Sequence, residues 1–226
     1  ETLINSINLA DMEGVPPVEV TGQVRWFKRP TPGNTYLTSL DPAMGTGGDY
    51  AAIQVFELPS FEQVAEWHHN TTPMNQQVRI LQQINKHIHD AIMEKDTTAS
   101  PQIFYSMENN TIGEAALLRV MDIGEENIQG MFLSEPIRKG HRRKFRRGFN
   151  TTAKHKIDAC TKFKELVENG KMKINSQLLI SELKDFVASG MSYKAKPGQH
   201  DDLVSSCLLM TRMMKVLADF DPKIFE

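Results

Sequence analysis

Cysteine is scarce in this chain, and several other features are missing altogether. The two cysteines, Cys160 and Cys207, lie far apart in segments with helical patterning, which excludes a disulfide framework and the paired spacing of a zinc site. We expect both to be buried thiols. No apolar run approaches the roughly 18 residues that a membrane helix needs, and no amino-terminal signal pattern is present. The first residue is glutamate, so we expect a soluble, cytosolic piece of a longer protein with no membrane partner.

Three catalytic signatures are also absent from the sequence. There is no G-x-x-x-x-G-K-[ST] phosphate loop, so we expect no ATPase site, and no nucleophile elbow with a base partner. The histidine pairs 68–69 and 87/89 lack the i, i+4 spacing of two zinc ligands on one helix face. The glycine-rich stretch "SLDPAMGTGGDY" (39–50) is followed by a strand-like segment. It therefore favours a β-hairpin turn over a phosphate-binding loop.

The periodicity of the remaining sequence predicts one large domain of mixed α/β structure. With 226 residues the chain is long enough for a substantial core. We interpret residues 1–24 as a linker or lead-in and 25–226 as the domain. Predicted strands cover 34–41, 50–58, 61–70, 101–109 and 128–135, and a brief one 171–175. Predicted helices cover 74–95, 111–123, 152–170, 176–190 and 200–218. The first three strands form an antiparallel meander, and the later strand–helix–strand units predict parallel strands.

A cluster of positive charge is hidden by the formal net charge of −2. In "RKGHRRKFRR" (138–147), seven of ten residues are Lys or Arg. Cations without interspersed acids repel one another, and a polyanion relieves that repulsion. We therefore predict a basic loop that contacts nucleic acid or phosphate, although such a run can also be a solvated surface.

Three acids occupy positions suited to metal-dependent phosphodiester chemistry. Such chemistry needs carboxylates from distant parts of the chain that converge on hard cations. Asp41 ends the first strand of the meander and Glu108 ends the strand "QIFYSME". The third lies in "GQHDDLVSS", where helical phase places Asp202 on the apolar arc of the last helix and Asp201 on its polar side. Asp202 is thus the better ligand candidate, and Asp201 is a candidate helix cap.

The order of these acid-bearing motifs resembles a known family. "TYLTSLDPAMGTGGDYAAIQVFEL", "IFYSMENNTIGEA" and "KPGQHDDLVSSCLL" are similar to segments of the nuclease domain of the large terminase subunit of tailed double-stranded DNA bacteriophages. The segment "GFNTTAKHKIDACTKFKELVENGKMKI" is similar to the region before the closing helices. The resemblance spans roughly residues 25–218.

That resemblance implies an RNase H-like fold and a DNA endonuclease that cuts concatemeric viral DNA during packaging with two Mg²⁺ or Mn²⁺ ions. It assigns the catalytic and metal-binding roles to Asp41, Glu108 and Asp202, with Asp49 as a supporting metal candidate. Asp201, the acid adjacent to Asp202, is a further metal candidate by its position alone. It also implies double-stranded DNA, the terminase ATPase domain, the small terminase subunit and the portal protein as partners, and the host cell cytoplasm as location. From their charge, and not from a family motif, the residues expected to bind the DNA backbone are Arg138, Lys139, Arg142, Arg143, Lys144, Arg146, Arg147, Lys194 and Lys196.

Two alternatives remain open from the sequence. One is another RNase H-like nuclease, such as a junction resolvase or an RNA–DNA hybrid nuclease. The other is a DNA-binding module that retains the acids without cutting. Nuclease assays on duplex, junction and hybrid substrates separate all three.

Overall fold

The computed structural model of the chain describes residues 1–136 and 147–226. The strands are β1 (Glu19–Thr21), β2 (Val24–Trp26), β3 (Thr35–Asp41), β4 (Ala51–Leu58), β5 (Glu62–His69), β6 (Gln102–Met107), β7 (Met131–Phe132), β8 (Phe186–Ser189) and β9 (Ser192–Ala195). The helices are α1 (Ser6–Asp11), α2 (Met74–Lys95), α3 (Thr111–Ile123), α4 (Ala153–Glu168), α5 (Gln177–Lys184) and α6 (Asp202–Phe220).

Seven strands form one mixed sheet in the order β1-β2-β5-β4-β3-β6-β7. The pairs β3–β4 and β4–β5 are antiparallel, and β6 pairs with both β3 and β7 in parallel. The predicted meander followed by parallel strands is therefore confirmed. The order also places β3, the first strand of the meander, directly beside β6.

Helices cover both faces of the sheet. Alternate residues of a strand point to opposite faces, and on β3 Tyr36 and Leu40 belong to one buried cluster with α2 and α3. Leu37 belongs to a second cluster that contains residues of α4, α5 and α6. Strand β3 therefore has no solvent-exposed face, and all of its residues before Asp41 are buried.

The amino-terminal segment contributes to the second cluster. Leu3, Ile4 and Leu9 are buried there, and Thr2 forms a single bridge with Val187 of β8. The segment that we interpreted as a linker or lead-in is thus packed against the helical layer.

Three of the predicted elements were wrong in extent. The helix predicted over 176–190 ends at Lys184, and its last residues form β8, which pairs with β9. The brief strand predicted over 171–175 is only a single bridge between Lys173 and Glu62. The strand predicted over 128–135 is limited to β7. In the part of the chain that the structure describes, no helix has both the length and the apolar character that crossing a membrane requires.

Candidate active site

Asp41 and Glu108 lie side by side at the carboxyl ends of two adjacent parallel strands. Leu40 of β3 is in register with Met107 of β6, and the Glu108 N–H donates to the Leu40 carbonyl oxygen at 3.2 Å. The next residue along β3 is Asp41, so parallel pairing delivers both acids to the same edge of the sheet. The two carboxyl groups are close enough to interact, and this contact adds to burial in raising the pKa of Asp41.

Helix α6 brings Asp202 to this pair through two buried serines. The Ser39 and Ser206 hydroxyls are 2.9 Å apart, and Ser39 Oγ also donates to the Ser206 carbonyl oxygen at 2.9 Å. Ser39 and Asp41 point to the same face of β3, and Asp202 lies one helical turn before Ser206. Two strand residues and one helical turn cover similar distances, roughly 6.5 and 5.5 Å. The serine contact therefore sets Asp202 opposite Asp41.

The pKa values show how closely these acids interact. Burial raises the pKa of Asp41 well above its usual range, and the charges of Glu108, Asp202 and Asp201 raise it further. Burial also raises the pKa of Asp202 to about 6, opposed by the hydrogen bond from the Tyr50 N–H and favoured by the charges of Asp201 and Asp49. All five predicted acids thus lie within electrostatic range of at least one other member.

The donor set fits hard divalent cations. Every group in it is a carboxylate oxygen, the ligand that Mg²⁺ and Mn²⁺ favour. Within residues 1–136 and 147–226, no Lys or Arg forms an ion pair with any of the five acids. His200 Nδ1 is 3.7 Å from Asp202 Oδ2, and the Arg212 guanidinium lies within electrostatic range of Glu108. In the same residues no group of three or more His, Cys, Asp or Glu side chains is placed so that it could hold a metal ion. The structure therefore brings together one carboxyl pair with Asp202 nearby.

The glycine-rich loop between β3 and β4 leads to Tyr50, the residue that contacts Asp202. Gly45 has a positive φ of 76°, and a Cβ there would lie 2.5 Å from the Thr72 carbonyl oxygen. Gly47 N donates to the Asn70 carbonyl oxygen at 2.9 Å. The predicted hairpin is confirmed, and its glycines allow the loop to pack closely on the chain that precedes α2.

At the end of that loop, Tyr50 contacts Asp202 directly. The Tyr50 N–H donates to Asp202 Oδ2 at 3.3 Å. The Tyr50 ring stacks on His68 at 4.8 Å and meets the edge of His200 at 5.1 Å between ring centroids. Asp49 is exposed beside it. The loop thus orients Asp202 and leaves Asp49 facing solvent.

Asp201 occupies the N-cap position of α6 but makes no capping hydrogen bond with its side chain. Its Oδ2 instead accepts from the Ala195 N–H at 3.0 Å. Asp201 is thus the N-cap residue, as predicted, but its side chain does not bond the helix, because the end of β9 approaches closely enough to compete for the carboxylate. Asp201 consequently joins the β8–β9 hairpin to the first turn of α6.

The predicted DNA-contacting residues fall into two groups. Arg138, Lys139, Arg142, Arg143, Lys144 and Arg146 lie outside the described residues. Arg147 pairs with Glu125 and lies over the Phe132 ring at 5.1 Å. On β9 Lys194 is exposed, and just beyond it Lys196 pairs with Asp185 at 2.9 Å. Of these two exposed lysines, Lys196 is ion-paired, and Lys194 forms no ion pair within the described residues.

Sequence reasoning missed the residues that hold the acids in place. Ser39, Ser206 and Tyr50 each contact an acid-bearing segment, but none stands out by residue type. Their only signal is spacing, since Ser39 precedes Asp41 by two residues on a strand and Ser206 follows Asp202 by four on a helix. That signal becomes readable only once β3 and α6 are known to pack together.

A mixed sheet of this order, with an acid at the end of each of two neighbouring parallel strands, defines an RNase H-like fold. Structural comparison agrees. The large terminase nuclease from thermophilic phage G20c with bound magnesium is similar over 93% of this chain and 96% of its own, with a TM-score of 0.67 and 17% identity. The large terminase nuclease domain of Thermus phage P74-26 gives a TM-score of 0.62 at 18% identity, covering 91% of this chain and 93% of its own.

The likeness extends to a herpesvirus protein. The manganese-soaked, inhibitor-bound terminase nuclease domain of human cytomegalovirus is similar over 96% of this chain and 95% of its own, with a TM-score of 0.59 and 12% identity. The sequence model of the Terminase RNaseH-like domain family matches residues 38–213. The chain belongs to that family.

Proposed function

We propose that this chain is a divalent-metal-dependent endonuclease that cuts concatemeric viral DNA during genome packaging. The observation that carries the proposal is the pair of Asp41 and Glu108 at one edge of an RNase H-like sheet, with Asp202 nearby and no ion-paired Lys or Arg among the described residues. We refer to these three acids as the acid cluster. Carboxyl groups crowded in this way favour the binding of cations, which relieves their repulsion.

Asp41, Glu108 and Asp202 are the proposed ligands of two Mg²⁺ or Mn²⁺ ions. Ions bound there supply an activated water and stabilise the leaving oxygen of the phosphodiester. The protein's own part is orientation: the parallel β3–β6 pairing aims Asp41 and Glu108, and the Tyr50 N–H aims Asp202. Solved relatives carry magnesium and cobalt, and others were soaked in manganese. Asp49 and Asp201 are proposed as supporting groups, Asp201 through its bond to Ala195.

The DNA-binding part of the proposal rests on charge. Arg147, Lys194 and the basic residues of 138–146 would hold the phosphate backbone, and contacts of this kind carry no sequence information. We further propose the terminase ATPase domain, the small terminase subunit and the portal protein as partners, in the host cell cytoplasm.

Plasmid nicking tests the assignment. We expect cleavage with Mg²⁺ or Mn²⁺ that EDTA abolishes, and we expect Asp41→Asn and Asp202→Asn each to lower the rate by more than about a hundredfold. Changes to groups that merely orient metal ligands already cost about 10- to 100-fold. Asn keeps the shape of the side chain and removes its charge, so folding should survive.

The matched controls are Asp201→Asn, for which we expect a milder loss, and Asp90→Asn on the exposed surface of α2, for which we expect none. Undiminished cleavage by Asp202→Asn, or robust cleavage in excess EDTA, would contradict the proposal. Faster cleavage of four-way junctions or RNA–DNA hybrids than of linear duplex would instead favour a different RNase H-like nuclease. DNA binding without cleavage under any metal would favour a binding module.

A further inference from the structure

Arg212 is a cation on α6 that is mostly removed from solvent, with 12% of its side chain exposed. Its Nη2 donates to Glu135 Oε2 and to the Asn150 carbonyl oxygen, both at 3.0 Å. Its Nη1 donates to Thr151 Oγ1 at 3.1 Å, and the guanidinium lies over the Phe149 ring at 5.1 Å. One side chain therefore holds three consecutive residues of a single segment.

The segment 149–151 is hydrogen-bonded through its backbone to the residues on either side of Glu108. Phe149 and Glu108 form a parallel bridge, in which Phe149 N donates to the Met107 carbonyl oxygen at 3.2 Å and the Phe149 carbonyl accepts from Asn109 N at 2.6 Å. The backbone of Phe149 thus forms hydrogen bonds with the residues on both sides of Glu108. A displacement of Phe149 would therefore be transmitted to the backbone on both sides of Glu108.

Glu135 completes the contact from the other side. While Oε2 accepts from Arg212, Oε1 accepts from the Asn150 N–H at 3.2 Å. A planar guanidinium that bonds several oxygens at once gives stiffness that a single point charge does not. Arg212 and Glu135 together fix the segment to α6.

Helix α6 also carries Asp202 at its first turn. We propose that Arg212, acting with Glu135, is a positioning residue that fixes Glu108 relative to Asp202 and so sets the affinity of the acid cluster for divalent cations. The inference rests on the proposed function of that cluster. A residue that served the fold alone would lower stability and leave the cation affinity of the folded protein unchanged.

Mn²⁺ binding without DNA, measured by titration calorimetry, tests the inference. For Arg212→Gln we expect affinity weaker by about tenfold, the range found when groups that orient metal ligands are removed. Arg212→Lys keeps the charge without the planar fork and should fall between Arg212→Gln and the native protein. Glu135→Ala should weaken binding in the same direction, and the Arg212→Gln/Glu135→Ala double variant should lose less than the sum of the two. The Mn²⁺ concentration for half-maximal nicking should rise in parallel, with DNA binding in EDTA unchanged.

Arg119→Gln is the matched control, because Arg119 sits in an exposed pair with Asp122 on α3; it should bind Mn²⁺ as the native protein does. Unchanged Mn²⁺ affinity in folded Arg212→Gln would overturn the inference, as would a loss of DNA binding in EDTA. If Arg212→Gln does not fold, Glu135→Ala decides the question by the same measurement. A native protein that neither binds Mn²⁺ nor cuts DNA would refute the proposed function itself, whereas native activity with unaffected variants refutes only the role of Arg212 and Glu135.

Discussion

Glu182 on α5 places a carboxyl group beside the first turn of α6. Its Oε2 accepts from the Val204 N–H at 3.0 Å. Burial raises the pKa of Glu182 to about 9, opposed by that hydrogen bond and increased by the charges of Asp202, Glu66 and Asp201. The folded protein therefore keeps this carboxyl protonated at neutral pH, while the unfolded chain does not.

The raised pKa gives Glu182→Gln a predictable pH dependence. Because the unfolded chain loses the proton near pH 4.5 and the folded protein near pH 9, native stability declines as pH rises across that window. Gln does not titrate and keeps an oxygen for the Val204 N–H. We expect its free energy of unfolding, relative to the native protein, to rise from pH 4.5 to pH 9 in urea titrations.

Glu168→Gln is a control for which the pKa shift, and therefore the pH dependence of stability, has the opposite sign. A hydrogen bond from Lys164 lowers the pKa of Glu168, so its stabilising contribution is present above the unfolded pKa and is lost as pH falls. The Gln variant there should lose stability relative to the native protein at neutral pH. A stability difference for Glu182→Gln that stays flat with pH would show that the carboxyl ionises normally.

At the scale of elements, the junction between β6 and α3 is unusually close. Gly113 lies in the first turn of α3, and a methyl group at this position would collide with the carbonyl oxygen of Glu108. The Gly113 N–H also donates to Asn110 Oδ1 at 2.7 Å, which caps the helix. Glycine here lets α3 begin immediately after the acid.

Gly113→Ala should therefore destabilise the protein although Ala is the better helix former. The propensity gain is about 1 kcal/mol, whereas overpacking of a buried contact costs about 1–3 kcal/mol. We expect a net loss of stability in urea unfolding, with weaker Mn²⁺ binding because the Glu108 backbone must shift. Gly48→Ala is the control, since a Cβ there meets no atom within 4 Å. An equal or higher free energy of unfolding for Gly113→Ala would refute the collision.

Elements with a clear hydrophobic periodicity could be predicted from the sequence. Elements whose bounds depend on pairing with another strand could not. The bounds of α2 follow from Val78, Leu81, Ile84 and Ile88, all of which are buried. By contrast, Phe186 continues the apolar spacing of α5, so periodicity alone extends that helix. What ends it is the pairing of β8 with β9, a non-local contact that no single window of sequence contains.

The candidate site divides in the same way. Strand ends and helical phase single out Asp41, Glu108 and Asp202 as candidates from sequence. Two contacts could not be predicted in this way: the hydrogen bond from Ala195 to Asp201, and the hydrogen bonds of Arg212 to Glu135 and to the segment 149–151. Both join segments that lie far apart in the chain. Helical phase places Asp201 at the helix start and says nothing of the competing backbone N–H.

For the whole molecule, a net charge of −2 means that the proposed DNA binding would have to come from local positive charge. Lys194 is exposed and, among the described residues, has no carboxylate partner, whereas Lys196 is paired with Asp185. If Lys194 contacts a phosphate, Lys194→Gln should weaken DNA binding and lower the slope of log affinity against log salt by about 1. Lys196→Gln should have a smaller effect.

The salt series is measured in Ca²⁺ or EDTA so that cleavage does not interfere. Lys86→Gln serves as the control, because Lys86 pairs with Asp90 on α2, across the sheet from α6. A salt slope for Lys194→Gln equal to that of the native protein would remove Lys194 from the DNA-contacting surface.

The residues on either side of 137–146 are hydrogen-bonded to each other. Glu135 N donates to the Gly148 carbonyl oxygen at 3.1 Å, and Gly148 N donates to Ser134 Oγ at 3.0 Å. Loop-closure entropy grows slowly, by about 0.6 kcal/mol for each doubling of length. Sequence between these anchors can therefore lengthen, shorten or change charge at little thermodynamic cost to the acid cluster. If the basic residues of 138–146 bind DNA as proposed, the affinity for DNA can evolve without moving the acids that are proposed to cut it.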